Sequence, residues 1–75
     1  MTVKKILAEI GCNRLSLMCE RRANIVRWKF VYNDRELGPI TRYTNAGLLS
    51  DLSFDGWVEL GKNFVKEIRA NRRTR

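Results

Sequence analysis

The sequence predicts an α+β fold, in which an antiparallel sheet of about four strands is followed by one long C-terminal helix. Two observations lead to this prediction. Apolar and polar residues alternate through most of residues 14–32, which is the period of a strand with one buried face. After Ser53, apolar residues recur every three or four positions, which is the period of a helix with one apolar side.

The alternating segment predicts two adjacent strands. The first has apolar residues at Leu15, Leu17 and Cys19. The second, residues 25–32, is rich in aromatic and β-branched residues and carries Arg27 and Lys29 on one face. The other face of this strand carries Val26, Trp28, Phe30 and Tyr32. We expect Trp28 and Phe30 to lie in the core and the two cations to face outward.

Turn-forming residues separate the predicted strands. Polar runs at residues 20–24 and 33–38 are typical of turns. Pro39 suits the start of a strand or a sheet edge, because it cannot donate to a ladder. A third strand is predicted over residues 40–44 and a weaker fourth strand over residues 47–52.

Two segments have helical spacing. Val3, Ile6, Leu7 and Ile10 fit a short amphipathic helix that ends at Gly11, although a strand is an open alternative. Ser53 is placed to cap the long C-terminal helix. The residues expected to line its core or a dimer contact are Trp57, Gly61, Phe64 and Ile68.

The chain of 75 residues is long enough for one domain, predicted over residues 1–68, with a basic tail at 69–75. A monomer of this size hides only about 60% of its unfolded surface, so its stability is marginal. Cys12 and Cys19 are too few for a zinc site, and on one strand their odd spacing would point them apart. Self-association, most simply as a homodimer, is the favoured source of extra stability.

The charge balance indicates an anionic partner. The chain has 15 Lys and Arg against 8 Asp and Glu, a formal net charge of +7. Residues 14–45 hold seven cations and three acids, whereas residues 53–68 hold two cations and three acids. The excess lies on the predicted sheet and the tail, which is typical of nucleic-acid binding, although membranes and acidic proteins attract the same charge.

A binding surface is expected on the exposed side of the sheet, where cations follow a phosphate backbone and rings stack on bases. The candidate cations named from this pattern are Arg21, Arg22, Arg27 and Lys29. Tyr32 and Tyr43, near strand ends, are the stacking candidates.

The residues give no support for catalysis, so we expect no enzyme, no cofactor and no metal. The chain has no histidine to activate a cysteine, and its glycines match neither a dinucleotide motif nor a phosphate-binding loop. Residues 1–10 show no secretory signal and no stretch is apolar enough to span a membrane, so an intracellular, cytoplasmic or nucleoid location is expected.

Several of these features resemble one family. They are Ile10-Gly11, Asn13-Arg14 leading into Leu15, the aromatic strand 25–32, Pro39 after a turn, and Leu52-Ser53 followed by Trp57. This layout is similar to the positive cofactor four (Sub-one-like) transcriptional coactivators and their bacterial and phage relatives. The similarity covers residues 10–68. It departs from the family pattern at Cys12, around Arg21, and in residues 41–47, which carry one cation.

The resemblance implies a curved sheet of four strands and a homodimer built through helices and sheet edges. It also implies grooves that bind single-stranded or melted DNA, with RNA as a possible substitute, in transcription, replication or recombination of a bacterium or phage. The groove residues implied by position are Arg14, Arg21, Arg22, Lys29, Tyr32 and Arg42. The partners implied are single-stranded DNA, a second copy of the chain, and the transcription or replication machinery.

Two alternatives stay open. The basic face fits an acidic protein, as in a phage-encoded inhibitor of a host enzyme. A duplex binder with a helix-turn-helix in the first thirty residues is less consistent with the alternation in that segment.

Overall fold

A computed structural model describes residues 1–73, with side chains through Asn71. The chain forms a helix α1 (Val3–Ile10), three strands β1 (Leu15–Arg22), β2 (Ile25–Asp34) and β3 (Gly38–Tyr43), a short 3-10 turn (Leu49–Asp51) and a helix α2 (Phe54–Arg73). The α+β class and the C-terminal helix are confirmed. No helix within the described residues is long and apolar enough to cross a bilayer.

Local capping explains the short helix α1. The Thr2 hydroxyl accepts a hydrogen bond from the Lys5 N–H at 3.2 Å, which satisfies one of the free donors of the first turn. Gly11 ends the helix in the left-handed region, at φ +76°, and its N–H donates to the Leu7 carbonyl. The helical interpretation of residues 3–10 is therefore confirmed over the strand alternative.

The three strands form one antiparallel sheet in the order β1-β2-β3. Leu17 pairs with Phe30 across β1 and β2, and Phe30 pairs with Arg42 across β2 and β3. The turn into β3 is held by Asp34, whose buried carboxylate accepts from the N–H groups of Glu36 and Leu37 at 2.8 and 3.2 Å. An aspartate that binds its own turn in this way sets the register of the second hairpin.

Both helices cover the same side of the sheet, which we call the inner face. Its strand residues Leu15, Leu17, Phe30 and Tyr32 are buried together with Ile6 of α1 and with one side of α2. Trp57 of α2 is fully buried and meets Phe30 and Trp28 edge-on, with ring centroids 6.1 and 6.3 Å apart. Fully burying a large apolar side chain stabilises a fold by about 1.5–3 kcal/mol, so this aromatic group is a main source of stability.

The fourth strand predicted over residues 47–52 is wrong. The Asp51 carboxylate accepts from the N–H groups of Gly47 and Leu48, both at 3.0 Å, and closes residues 49–51 into a 3-10 turn. The Leu49 carbonyl accepts from the Trp57 indole N–H at 2.7 Å. These side-chain bonds give the backbone an alternative to a ladder, and the sheet has three strands.

Helix α2 begins as predicted, because the Ser53 hydroxyl accepts from the Gly56 N–H at 3.0 Å. It runs further than the apolar stripe suggests. Residues 69–73, expected to belong to the basic tail, continue the helix, and residues 74 and 75 lie outside the described part of the chain.

The two edges of the sheet differ. Strand β1, Leu15–Arg22, forms one edge, and its first outward N–H, that of Leu15, donates to the Cys12 carbonyl at 3.3 Å. Strand β3 carries Pro39. The Thr44 N–H donates to the Trp28 carbonyl, which indicates that the backbone N–H and C=O groups of the even-numbered residues of β3 point toward β2. At the odd-numbered position 39, a backbone N–H would point away from the sheet. Proline has no N–H, so Pro39 interrupts the hydrogen-bonding groups of this edge.

Candidate nucleic-acid interface

The side of the sheet away from the helices, which we call the outer face, is covered by no element of the described chain. Its central residues are Met18 and Glu20 of β1, Arg27, Lys29 and Val31 of β2, and Thr41 and Tyr43 of β3. Arg27 and Lys29 alternate with Trp28 and Phe30, which face α2, so both cations point away from the helices.

One ring and two cations form a cluster on this face. The Arg27 guanidinium carbon lies 4.2 Å from the centroid of the Tyr43 ring, and the Lys29 Nζ lies 5.7 Å from it. Both distances are within the range of cation–π attraction. Tyr43 is 44% exposed, and the ring beneath Arg27 holds the guanidinium in place while its donors stay accessible.

Glu20 is the acid within this cluster. Its Oε1 accepts from Lys29 Nζ at 3.2 Å and from the Tyr43 hydroxyl over a long 3.4 Å. The hydrogen bond from Lys29 is the largest effect on the pKa of the Glu20 carboxyl, and desolvation, the next largest, opposes it. Together with Tyr43 and the charges of Lys29 and Arg22, the hydrogen bond holds the pKa of this carboxyl below its ordinary value of 4.5. At neutral pH Glu20 is therefore ionised and offsets part of the positive charge of the outer face.

The hairpin between β1 and β2 extends beyond the end of β3, and we call residues 21–27 the hairpin arm. Every residue of the arm is exposed. Arg22 lies on the outer face opposite Ile25, whereas Arg21 lies on the inner face opposite Val26. The predicted cations of the turn are thus strand residues, and the turn itself contains only Ala23 and Asn24.

Two residues expected at the binding surface lie elsewhere. Tyr32 is only 5% exposed and belongs to the core of the inner face, which corrects its assignment as a ring that stacks on bases. Arg42 pairs in register with Phe30 and so lies on the helix side. There its guanidinium forms an ion pair with Glu67 of α2 and lies 5.2 Å from the Phe64 ring, which corrects its place in the groove.

Arg14 is separated from the cluster by most of the length of β1. It precedes Leu15, opposite Asn33, and its guanidinium donates to the Asn33 carbonyl at 3.3 Å. The structure therefore brings together Arg22, Arg27, Lys29 and Tyr43 on one face and leaves Arg14 at the other end of the sheet.

The stripe of α2 expected in the core or at a dimer contact lies inside a single chain. Trp57, Phe64 and Ile68 are at most 8% exposed, and Gly61 is buried. These residues pack on the sheet and on α1, so this stripe is not available for a helix-to-helix dimer.

Sequence reasoning missed two members of the outer face. Glu20 and Met18 alternate with Leu17 and Cys19 in the first strand, but neither is among the predicted binding residues. The alternation that identifies β1 also places both on the face of Lys29, where Met18 is 43% exposed.

The described residues offer no metal site or disulfide. Among residues 1–73 no group of three or more His, Cys, Asp or Glu side chains could hold a metal ion, and Cys12 and Cys19 are free. For binding an anion, the outer face provides hydrogen-bond donors, positive charge and an aromatic ring.

Comparisons of the chain with protein-family models, with curated proteins and with solved structures give no match. The resemblance to the positive cofactor four family stays a prediction from the sequence. The four-stranded sheet that it implies is corrected by the three strands observed.

Proposed function

We propose that this chain is a non-enzymatic, intracellular protein that binds single-stranded nucleic acid, DNA in the first instance, on the outer face of its sheet with little sequence preference. The observation that carries the proposal is the Arg27–Tyr43–Lys29 cluster on a sheet face that no helix covers. As the sequence resemblance suggests, we place this activity in transcription, replication or recombination.

The cluster suits a single strand better than a rigid duplex. A phosphate can accept hydrogen bonds from Arg27 and Lys29, while an unstacked base can contact the exposed part of the Tyr43 ring or the guanidinium plane. Met18 and Val31 beside Lys29 supply apolar surface for further bases. Such contacts exist for every base, so the expected sequence preference is small.

Arg22 extends the positive surface of the outer face along the hairpin arm. With Arg27 and Lys29 it gives about three phosphate contacts, and for a single strand this predicts a slope of about −2 in log affinity against log salt. A slope near zero would be inconsistent with backbone binding.

Fluorescence anisotropy with a labelled single-stranded oligonucleotide tests the proposal. Arg27→Gln and Lys29→Gln should each weaken binding by about fivefold, since one charge-to-phosphate contact in water contributes about 1 kcal/mol. Lys4→Gln is the matched control, because Lys4 is an exposed cation on α1. Equal losses in all three variants would show that only net charge matters and would contradict a site on the outer face.

The role of the ring has its own pair of variants. Tyr43→Phe keeps the ring and loses the hydroxyl that reaches Glu20, so it should retain affinity. Tyr43→Ala removes the support of Arg27 and should weaken binding by about fivefold or more, since stacking on an aromatic ring contributes about 1–3 kcal/mol. Unchanged affinity in Tyr43→Ala would exclude Tyr43 from the site.

An acidic protein partner is the second candidate, because apolar residues are exposed beside the cations. Met18 and Ile25 are 43% and 62% exposed on the outer face. Protein interfaces often combine arginine with apolar anchors. Failure of single-stranded DNA, duplex DNA and RNA to bind even at low salt would favour this candidate.

We also propose a homodimer, now through a sheet edge because the α2 stripe is buried. Beyond Leu15, whose N–H is bonded to Cys12, the β1 edge carries no proline and can pair with its counterpart around a two-fold axis to give one sheet of six strands. Sedimentation equilibrium should then report twice the chain mass. Cys19→Lys, at an exposed position of this edge strand, should shift the equilibrium toward the monomer. A monomer at high concentration would exclude the dimer.

A further inference from the structure

A second set of cations lies on α2, away from the outer face. Lys62, Lys66 and Arg69 are spaced i, i+4 and i+7, so they project from one side of the helix, and all three are exposed. We call them the α2 cation row. Within residues 1–71, whose side chains the structure describes, none of the three forms an ion pair. Of the acids nearby, Glu67 lies on another side of the helix and is bound to Arg42, whereas Glu59, three residues before Lys62, lies at the N-terminal end of the row.

The α2 cation row borders a groove. Its three side chains, with Ile10, Gly11 and Cys12 at the end of α1, line a concave space of about 410 Å³ between the two helices. The row is about 10 Å long at 1.5 Å per residue, which spans about three phosphates of a stacked strand at 3.4 Å each. A backbone lying in this groove can contact all three cations.

The two cationic surfaces lie on opposite layers of the molecule. Arg27 and Lys29 point away from the helices, whereas the α2 cation row belongs to the helical layer. A short single strand of nucleic acid bound on the outer face can reach the α2 cation row only by passing around an edge of the sheet. The molecule is thin, since the Cα trace measures 17 Å along its shortest axis.

We propose that one chain holds two single strands at once, one on the outer face and one along the α2 cation row, and thereby promotes annealing of complementary strands. The inference rests on the proposed single-strand binding and adds a second site to it. Two phosphate backbones repel each other, and cations on both sides of a thin protein reduce this repulsion while raising the local concentration of one strand near the other.

An annealing assay tests the inference. Two complementary oligonucleotides of about 20 nucleotides, one with a donor and one with an acceptor dye, are mixed with and without protein at low salt. The wild-type chain should accelerate the rise in energy transfer by about tenfold or more. The triple variant Lys62→Gln, Lys66→Gln, Arg69→Gln should lose most of this acceleration while its circular dichroism spectrum stays that of the wild type.

Stoichiometry gives a second readout. Titration with an oligonucleotide of 8 nucleotides, too short to wrap around the sheet, should give two strands per wild-type chain and one per triple variant. The matched control is Lys4→Gln, Lys5→Gln, Arg35→Gln, which removes three exposed cations elsewhere and should keep both the acceleration and two strands per chain. An equal loss in this control would overturn the inference.

The failure of this inference differs from failure of the proposed function. If the wild type binds one short strand per chain, sensitive to Arg27→Gln, and the triple variant anneals as fast as the wild type, the proposed function stands and the second site is wrong. A dimer that anneals two strands through its two outer faces would give this outcome, because its annealing would not depend on the α2 cation row. Absence of any binding by the wild type would overturn both proposals.

Discussion

The side chain of Ile10 occupies the space that a Cβ atom on Gly61 would need. A methyl group built on Gly61 would overlap Ile10 Cδ1 and lie 3.3 Å from Phe30 Cε1. Helix α2 therefore passes close to the end of α1 and to β2 at the one position of its buried stripe that has no side chain. The glycine permits contact with side chains of other elements rather than with another backbone.

We expect Gly61→Ala to destabilise the fold by about 1 kcal/mol. Alanine contributes about 1 kcal/mol of helix propensity, but overpacking costs about 1–3 kcal/mol. In an Ile10→Val background, which lacks Cδ1, the substitution should become neutral or stabilising, as measured by urea denaturation. Asn63→Ala, on the exposed side of α2, is the control and should have the same effect in both backgrounds. Stabilisation of the wild type by Gly61→Ala would contradict the close contact.

Ala23 is strained in the first hairpin. Its φ of +49° lies in the left-handed region, which costs an L-residue with a Cβ atom about 1 kcal/mol. Ala23→Asn should stabilise the fold by about 0.5–1 kcal/mol and raise Tm by about 2–8 °C, because asparagine tolerates this region. The same substitution at Ala8, exposed in α1, should lower Tm. A fall in Tm for both variants would show that the turn adopts another conformation in solution.

Glu20 should contribute to a pH dependence of stability. Its pKa in the folded chain is below the ordinary 4.5, chiefly because Lys29 donates to it. A lowered carboxyl pKa stabilises the fold above the unfolded-state pKa, and this contribution is lost as pH falls through the folded-state value. The stability difference between the wild type and Glu20→Gln should therefore be constant near neutrality and change below about pH 4.5. A difference that does not vary with pH would mean that the ion pair is absent in solution.

Glu20→Gln should also strengthen binding of single-stranded DNA. The substitution removes the carboxylate that Lys29 contacts at 3.2 Å and leaves this cation free for phosphate. Because this removes one negative charge beside the bound phosphate, we expect about a fivefold gain in affinity, largest at low salt. Glu36→Gln, in the second turn, is the control of equal charge. A gain no larger than that of the control would place the ligand elsewhere.

Arg42→Gln should show whether the helix side of the sheet contributes to single-strand binding. Arg42 and Glu67 form an ion pair with about half of each side chain exposed, so its loss should change stability by less than about 1 kcal/mol. Because Arg42 faces α2, single-strand affinity should stay within about twofold of the wild type, in contrast to Arg27→Gln. A loss as large as that of Arg27→Gln would return Arg42 to the binding surface.

The local pattern of the sequence predicts where the strands and helices lie better than it predicts which face of the sheet each residue occupies. Alternation identifies β1 and β2, and the Ser53 cap with the helical spacing after it identifies α2. The burial of Tyr32 also follows from the alternation, since Tyr32 shares its parity with Trp28 and Phe30.

Non-local effects explain what the pattern misses. Arg42 reaches the helix side because the turn held by Asp34 sets the register of β3, which no local period encodes. Residues 47–52 have strand-like composition, but the Asp51 side chain binds their N–H groups. The strands extend into the charged residues of the hairpin arm because Arg21 and Arg22 pair with Val26 and Ile25 across a turn of two residues, which a polar composition alone does not reveal.

The unequal edges of the sheet limit how copies of the chain can join. Edge-to-edge growth into a filament needs two matching open edges on every copy, one for each neighbour. Here Pro39 interrupts the β3 edge, so a second copy that joins at β1 leaves only interrupted edges outside. The proposed β1-edge dimer would therefore end after one pairing step and would not grow into a filament.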